Sequence, residues 1–155
     1  MRTHSYTSQI TWTGNRGTGT SRYDAYDRSH LWEVEGKQPV QCSSDTPFRG
    51  DGSLHNPEDM LLASLSSCHM LWYLHLCADA GIVVTYYQDR ASGDMTEVPG
   101  GGGYFEKVIL HPVVTITDPG RIADALALHD AAHSKCFIAN SVKFPVLHVP
   151  EVRIA

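Results

Sequence analysis

The sequence lacks the basic start and apolar stretch of a secretory leader; it opens MRTHSYTSQITW. Its four cysteines are therefore expected as reduced thiols in a cytoplasmic protein, buried, reactive or metal-binding, rather than as a disulfide framework. A clustered basic face is also missing. The 12 Lys and Arg are scattered against 17 Asp and Glu, for a net charge of −5, which argues against a nucleic-acid partner. Charge disappears altogether between Asp59 and Asp79, over 19 residues. No membrane span is expected there: Ser64, Ser66, Ser67, His69 and His75 interrupt the run, which is barely long enough and has acid at both ends. Repeats and linkers are absent too, so residues 1–155 are read as a single domain. That length suffices to bury roughly 70% of the unfolded surface without a metal or disulfide.

What is present reads as α+β. ITW at 10–12, the alternation in TSRYDAYD, and LWEVEGKQPVQCS with a turn at Glu35-Gly36-Lys37 predict strands. SSDTPFRGDGSLHN is polar and rich in turn formers, a loop. Asn56-Pro57-Glu58-Asp59 is a helix start, with a cap, a proline at the first helical position and first-turn acids. That helix should run to about Ala80, stop at Gly81, and be buried on most sides, since it is apolar almost all round. A domain this small can hardly wrap it alone, which implies a partner chain. Two β-rich runs follow, IVVTYYQDRASGDMTEV and YFEKVILHPVVTIT, joined by a glycine-rich hairpin tip. A second helix from Asp118-Pro119 to about Ser134 or beyond and a last edge strand, FPVLHVPEVRI, complete the order β-β-β-α-β-β-α-β.

Both helices direct a cysteine inward. Leu61, Ser64, Leu65, Trp72 and His75 share the side of the first helix that carries Cys68, and Ile122, Leu126, His129, His133 and Cys136 fall together if the second helix persists that far. Cys77 lies about 180° from Cys68 and some 13 Å along the axis, too far to pair. Free cysteine is among the most buried residue types, so Cys42 and Cys77 are read as inert, and the cysteines alone leave Cys68 and Cys136 open to the same reading. A functional thiol on an apolar face needs a cation from elsewhere. Arg49 in the loop before the helix is the best placed and Arg16 in the TGNRGTG turn the second choice; each also reads as a solvated loop charge. Glu58 is either a first-turn acid or the group that orients the arginine.

The run NPEDMLLASLSSCHMLWYLHLCADAGI, with Cys68 ten residues after Glu58, and AHSKCFIANSVKFPV around Cys136 resemble the OsmC/Ohr family, osmotically inducible protein C and the organic hydroperoxide resistance proteins. The resemblance implies an intertwined homodimer, with central helices backed by sheets, that reduces organic hydroperoxides with thiols and no cofactor. By position it makes Cys68 the attacking thiol, Cys136 the second thiol and Glu58 the acid that holds the arginine. OsmC-type members take that arginine from the loop before the helix, favouring Arg49; Ohr-type members take it from the first turn, favouring Arg16. Attack on the peroxide would leave a sulfenic acid on Cys68, Cys136 would condense with it, and an external dithiol would reduce the disulfide. Leu61, Leu65 and Trp72 would line an apolar pocket for alkyl or lipid hydroperoxides. Because Glu58 and Cys68 sit roughly 15 Å apart along one helix, the site is expected to draw on two antiparallel copies of it.

Two rivals remain from other classes. His129, His133 and Cys136, joined by Cys68 and His69, offer the ligand types of a tetrahedral metal site. A binding module that keeps the fold and has lost the activity is the other.

Overall fold

Three of the period-2 segments near the start form short strands. β1 (Gln9–Trp12), β2 (His30–Glu33) and β3 (Val40–Cys42) make an antiparallel sheet in that order, with Ile10 opposite Trp32 and Leu31 opposite Gln41. Gly36 turns the β2–β3 hairpin at φ +76°, a conformation that favours glycine. TSRYDAYD, in contrast, is mostly turns and bends, and only Tyr26 pairs, in an isolated antiparallel bridge with Asn15. The Arg28 guanidinium lies 4.3 and 4.2 Å from the Tyr23 and Tyr26 ring centres and donates to the carbonyls of both residues. Local satisfaction of those carbonyls removes acceptors that a neighbouring strand would need. The sheet buries little: Ile10 and Trp12 are exposed, and Cys42 alone among its strand residues is fully buried.

The structure is a computed structural model describing residues Met1 to Ala155, in two compact units, Met1–Met60 and Leu61–Ala155. The long helix α1 (Pro57–Asp79) starts as the sequence predicts. Asn56 Oδ1 accepts the Asp59 N–H at 2.8 Å, and the Asp59 carboxylate accepts the Asn56 N–H at 3.4 Å. Gly81, at φ +68°, ends it. By length and composition α1 is long and apolar enough to cross a membrane. Within the chain, however, it buries a single stripe at four-residue spacing, Leu65, His69, Tyr73 and Cys77, while Leu71 is 62% exposed. The expectation of burial on most sides is thus not met by this chain alone, because the core clusters of the second unit meet the helix along that stripe.

In the second unit each predicted β-run breaks in two, giving β4 (Val84–Asp89), β5 (Ser92–Glu97), β6 (Gly103–Leu110), β7 (Pro112–Ile116), β8 (Val146–His148) and β9 (Glu151–Ile154). They form two three-stranded sheets, β4-β7-β9 and β5-β6-β8, in which β8 and β9 are parallel edge strands. The hairpin breaks where Asp89 accepts the His111 N–H (2.6 Å) and the Ser66 hydroxyl (2.5 Å), so one carboxylate fastens both arms to α1. Period-2 patterning cannot register such a break, since the alternation continues on either side of it. Helix α2 (Ile122–Lys135) follows a 3-10 turn capped by Asp118. Leu65 packs with Val108, Leu110 and Val146 of one sheet, and Tyr73 and Cys77 pack with Val114, Ile116 and α2 beside the other. Each fully buried apolar side chain of this size contributes roughly 1.5–3 kcal/mol. His69 occupies the stripe position between the two clusters.

Candidate active site

Cys68 and Cys136 are brought together. Cys68 sits at mid-α1 and is the only cysteine of the four that is not buried. Cys136 caps the C-terminal end of α2: its φ of −66° is still helical and its N–H bonds the His133 carbonyl, while ψ 112° turns the chain out of the helix after it. The turn that follows lets its sulfur accept the Ala139 N–H at 3.4 Å, and the Cys68 thiol is its neighbour. Burial, then the neighbouring Cys68 thiol, push the Cys136 thiol up to about 11; the N–H groups of Ala139 and Ile138 offset part of this. Cys136 thus stands as a neutral thiol beside a more accessible one.

The surroundings of this pair are mixed. Trp72, one turn after Cys68, meets Phe137 edge-on at 5.7 Å, and Lys135 places its ammonium 5.6 Å from the Trp72 ring centre. Trp72 is half-buried, Leu61 packs against the β6–β8 cluster, and Leu65 is fully buried in it. Leu65 is therefore core, not accessible pocket lining, a distinction that helical phase cannot make. Lys135 and Phe137 carry no sequence signal beyond adjacency to Cys136. Cys42 and Cys77 are buried and their thiols are raised by desolvation, which the neighbouring Tyr73 hydroxyl partly opposes at Cys77.

Behind the cysteines the interior holds a file of aromatic rings. His69 Nε2 and His129 Nδ1 are 3.0 Å apart, so one ring donates its N–H to the other. Tyr73 stacks on His129 at 3.9 Å, and His148 lies 5.5 Å from both His69 and His133. His148 bonds Asp130 at 2.9 Å. Burial, followed by the charges of His148 and His133, lowers His69 to about 4; burial, then His69 and His148, lowers His129 to about 3. Both rings are neutral, and His69 Nδ1 and His129 Nε2 have no protein partner. No three His, Cys, Asp or Glu side chains converge as a metal would require, so the ligand set weighed from sequence is not assembled.

The first unit holds the other sequence candidates. Arg49 is exposed, follows a 3-10 turn capped by Asp45, and has φ +64°, the only non-glycine residue in the left-handed region. Arg16 is tied into its own turn, donating to the Asp24 carbonyl and lying 3.6 Å from the Asp27 carboxylate. Glu58 is half-buried in the first turn of α1, and no ion pair joins it to Arg49 within the chain.

Comparison with known proteins accords with this arrangement. An OsmC-like solved structure of unknown function from Vibrio cholerae shares 29% identity, covers 96% of this chain and 99% of its own, and superposes with a TM-score of 0.84. An organic hydroperoxide resistance protein from Elizabethkingia anophelis shares 20% identity over the whole of both chains (TM-score 0.68). One from Legionella pneumophila shares 19% over 97% and 99% (TM-score 0.65). No curated protein sequence matches the chain significantly. The OsmC-like protein family model matches residues 50–149, which carry α1, both sheets up to β8, α2 and the Cys68–Cys136 pair. The chain belongs to the OsmC-like family.

Proposed function

We propose that the protein is a thiol-dependent peroxidase that reduces organic hydroperoxides through Cys68 and Cys136, in a reducing, cytoplasmic setting. The observation that carries this reading is the asymmetry of the pair: a half-buried thiol next to a buried thiol held neutral. Cys68 attacks the outer peroxide oxygen, an alcohol leaves, and the sulfur becomes a sulfenic acid. The Cys136 sulfur then displaces the hydroxyl as water, forming a disulfide that an external dithiol reduces. Trp72 and Phe137 offer the alkyl part of the substrate an apolar wall. Titrating free thiols before and after one equivalent of cumene hydroperoxide tests this: the four free thiols should fall to two, with peptide mapping finding Cys68–Cys136. Four thiols surviving would leave a binding module instead.

The activating cation in this reading is Arg49, supported by Glu58, with both contributed by the partner subunit of a homodimer. Two features support it. Arg49 has a strained backbone and an unengaged side chain where Arg16 is already committed. The exposed side of α1, including Leu71, and the thinly buried β1-β2-β3 sheet are surfaces a second copy would cover. Alkylation of Cys68 by iodoacetamide at pH 7 should slow about threefold to tenfold in Arg49→Ala and stay within about twofold in Arg16→Ala, since a nearby cation favours thiolate. The reverse ranking would transfer the role to Arg16.

A further inference from the structure

Condensation between the two cysteines requires that their sulfurs close to bonding distance along a defined direction, so the spacing of α1 from the end of α2 matters. One side-chain hydrogen bond joins these helices, His69 Nε2 to His129 Nδ1 at 3.0 Å. His69 is the residue after Cys68, and His129 lies two turns before Cys136. The bond is held from three elements: Tyr73 of α1 stacks on His129 at 3.9 Å with planes 14° apart, His148 of β8 stands 5.5 Å from His69, and Asp130 of α2 fixes His148 at 2.9 Å. Both rings are buried, 1% and 0% exposed, and no step of the peroxide chemistry above uses them.

We propose that His69 and His129 are positioning residues, a clasp between α1 and α2 that sets the reach of Cys136 for oxidised Cys68. The inference rests on the thiol reading and concerns only its second step. There the Cys136 sulfur attacks the Cys68 sulfur, the S–S bond forms and the S–O bond breaks. The thiol proton departs with the hydroxyl as water, so the Cys136 sulfur is oxidised and the sulfenic sulfur reduced. A displacement of about 1 Å between reacting groups can cost about a hundredfold in rate; attack of Cys68 on a diffusing peroxide depends on the end of α2 only through Phe137, which walls the substrate and holds no reacting atom.

Single-turnover mixing with cumene hydroperoxide, with dimedone trapping and intact-mass analysis at each time, separates sulfenic acid formation from disulfide formation. In His129→Leu the first rate should stay within about twofold and the second fall about tenfold or more, so that sulfenic acid accumulates. His69→Phe, which keeps a ring and loses the bond, should do the same and serves if His129→Leu does not fold. The double variant His69→Gln, His129→Asn places amides at the two bonded nitrogens and should restore the second rate to within about threefold. Unchanged disulfide formation in the folded His129→Leu or His69→Phe protein would overturn the clasp. So would equal slowing of both steps, which reports only a loosened core. Absence of the disulfide in the unsubstituted protein would instead remove the thiol reading on which the clasp depends.

Discussion

Cys68→Ser should reduce peroxide consumption to the background of the buffer. Cys136, Cys77 and Cys42 are all buried, and burial holds each thiol in its neutral form. The thiolate is the nucleophile, and a solute must also reach it; Cys68 alone is not enclosed by the chain. Cys136→Ser should behave differently, giving one turnover and a sulfenic acid on Cys68 that dimedone captures, because the attacking sulfur survives and its partner does not. Cys42→Ser and Cys77→Ser should retain activity per folded molecule, with some loss of stability from a hydroxyl placed in the core. Steady-state peroxide consumption with a dithiol reductant, measured on all four variants, decides the matter. Turnover that persists in Cys68→Ser sinks the mechanism.

The second large effect is on stability, and its sign follows from the two buried histidines. In the unfolded chain each binds a proton near its ordinary value of 6.5; in the fold His69 resists protonation until about 4 and His129 until about 3. The unfolded state therefore holds more protons in this window, so stability rises with pH through it. The full contribution is present above about pH 6.5 and drains away as pH falls toward 4 and then 3. By pH 5 each ring costs roughly 2 kcal/mol, less if they act jointly, since they share a hydrogen bond. That is a large part of the 5–15 kcal/mol typical of a domain. Urea midpoints should fall steeply between pH 7.5 and 5, a range in which most carboxylates stay ionised. The His69→Gln, His129→Asn double variant should flatten that slope. An unsubstituted protein equally stable at both pH values would contradict the burial of neutral rings.

Local chemistry made much of the fold legible. The Asn56 cap, the stop at Gly81, the turn at Gly36 and the α+β order all follow from near-neighbour preferences, which the surrounding structure rarely overrides when cap and turn residues agree. The spacing of Glu58, Cys68 and Cys136 carried the family. What failed depended on contacts between distant residues. TSRYDAYD alternates like a strand, yet Arg28 between Tyr23 and Tyr26 claims its carbonyls.

The sequence by itself determined the helices, the turns and which cysteines to weigh, because capping, backbone restriction and residue spacing act over a few residues. Only the tertiary structure decided that Cys136, at the end of its helix, lies beside Cys68, that Leu65 is core, and that His69 and His129 bond to each other 60 residues apart. The physical reason is common to all three. Whether a side chain is desolvated, and by what it is paired, depends on elements brought together by folding, and no period in the chain records which elements those will be.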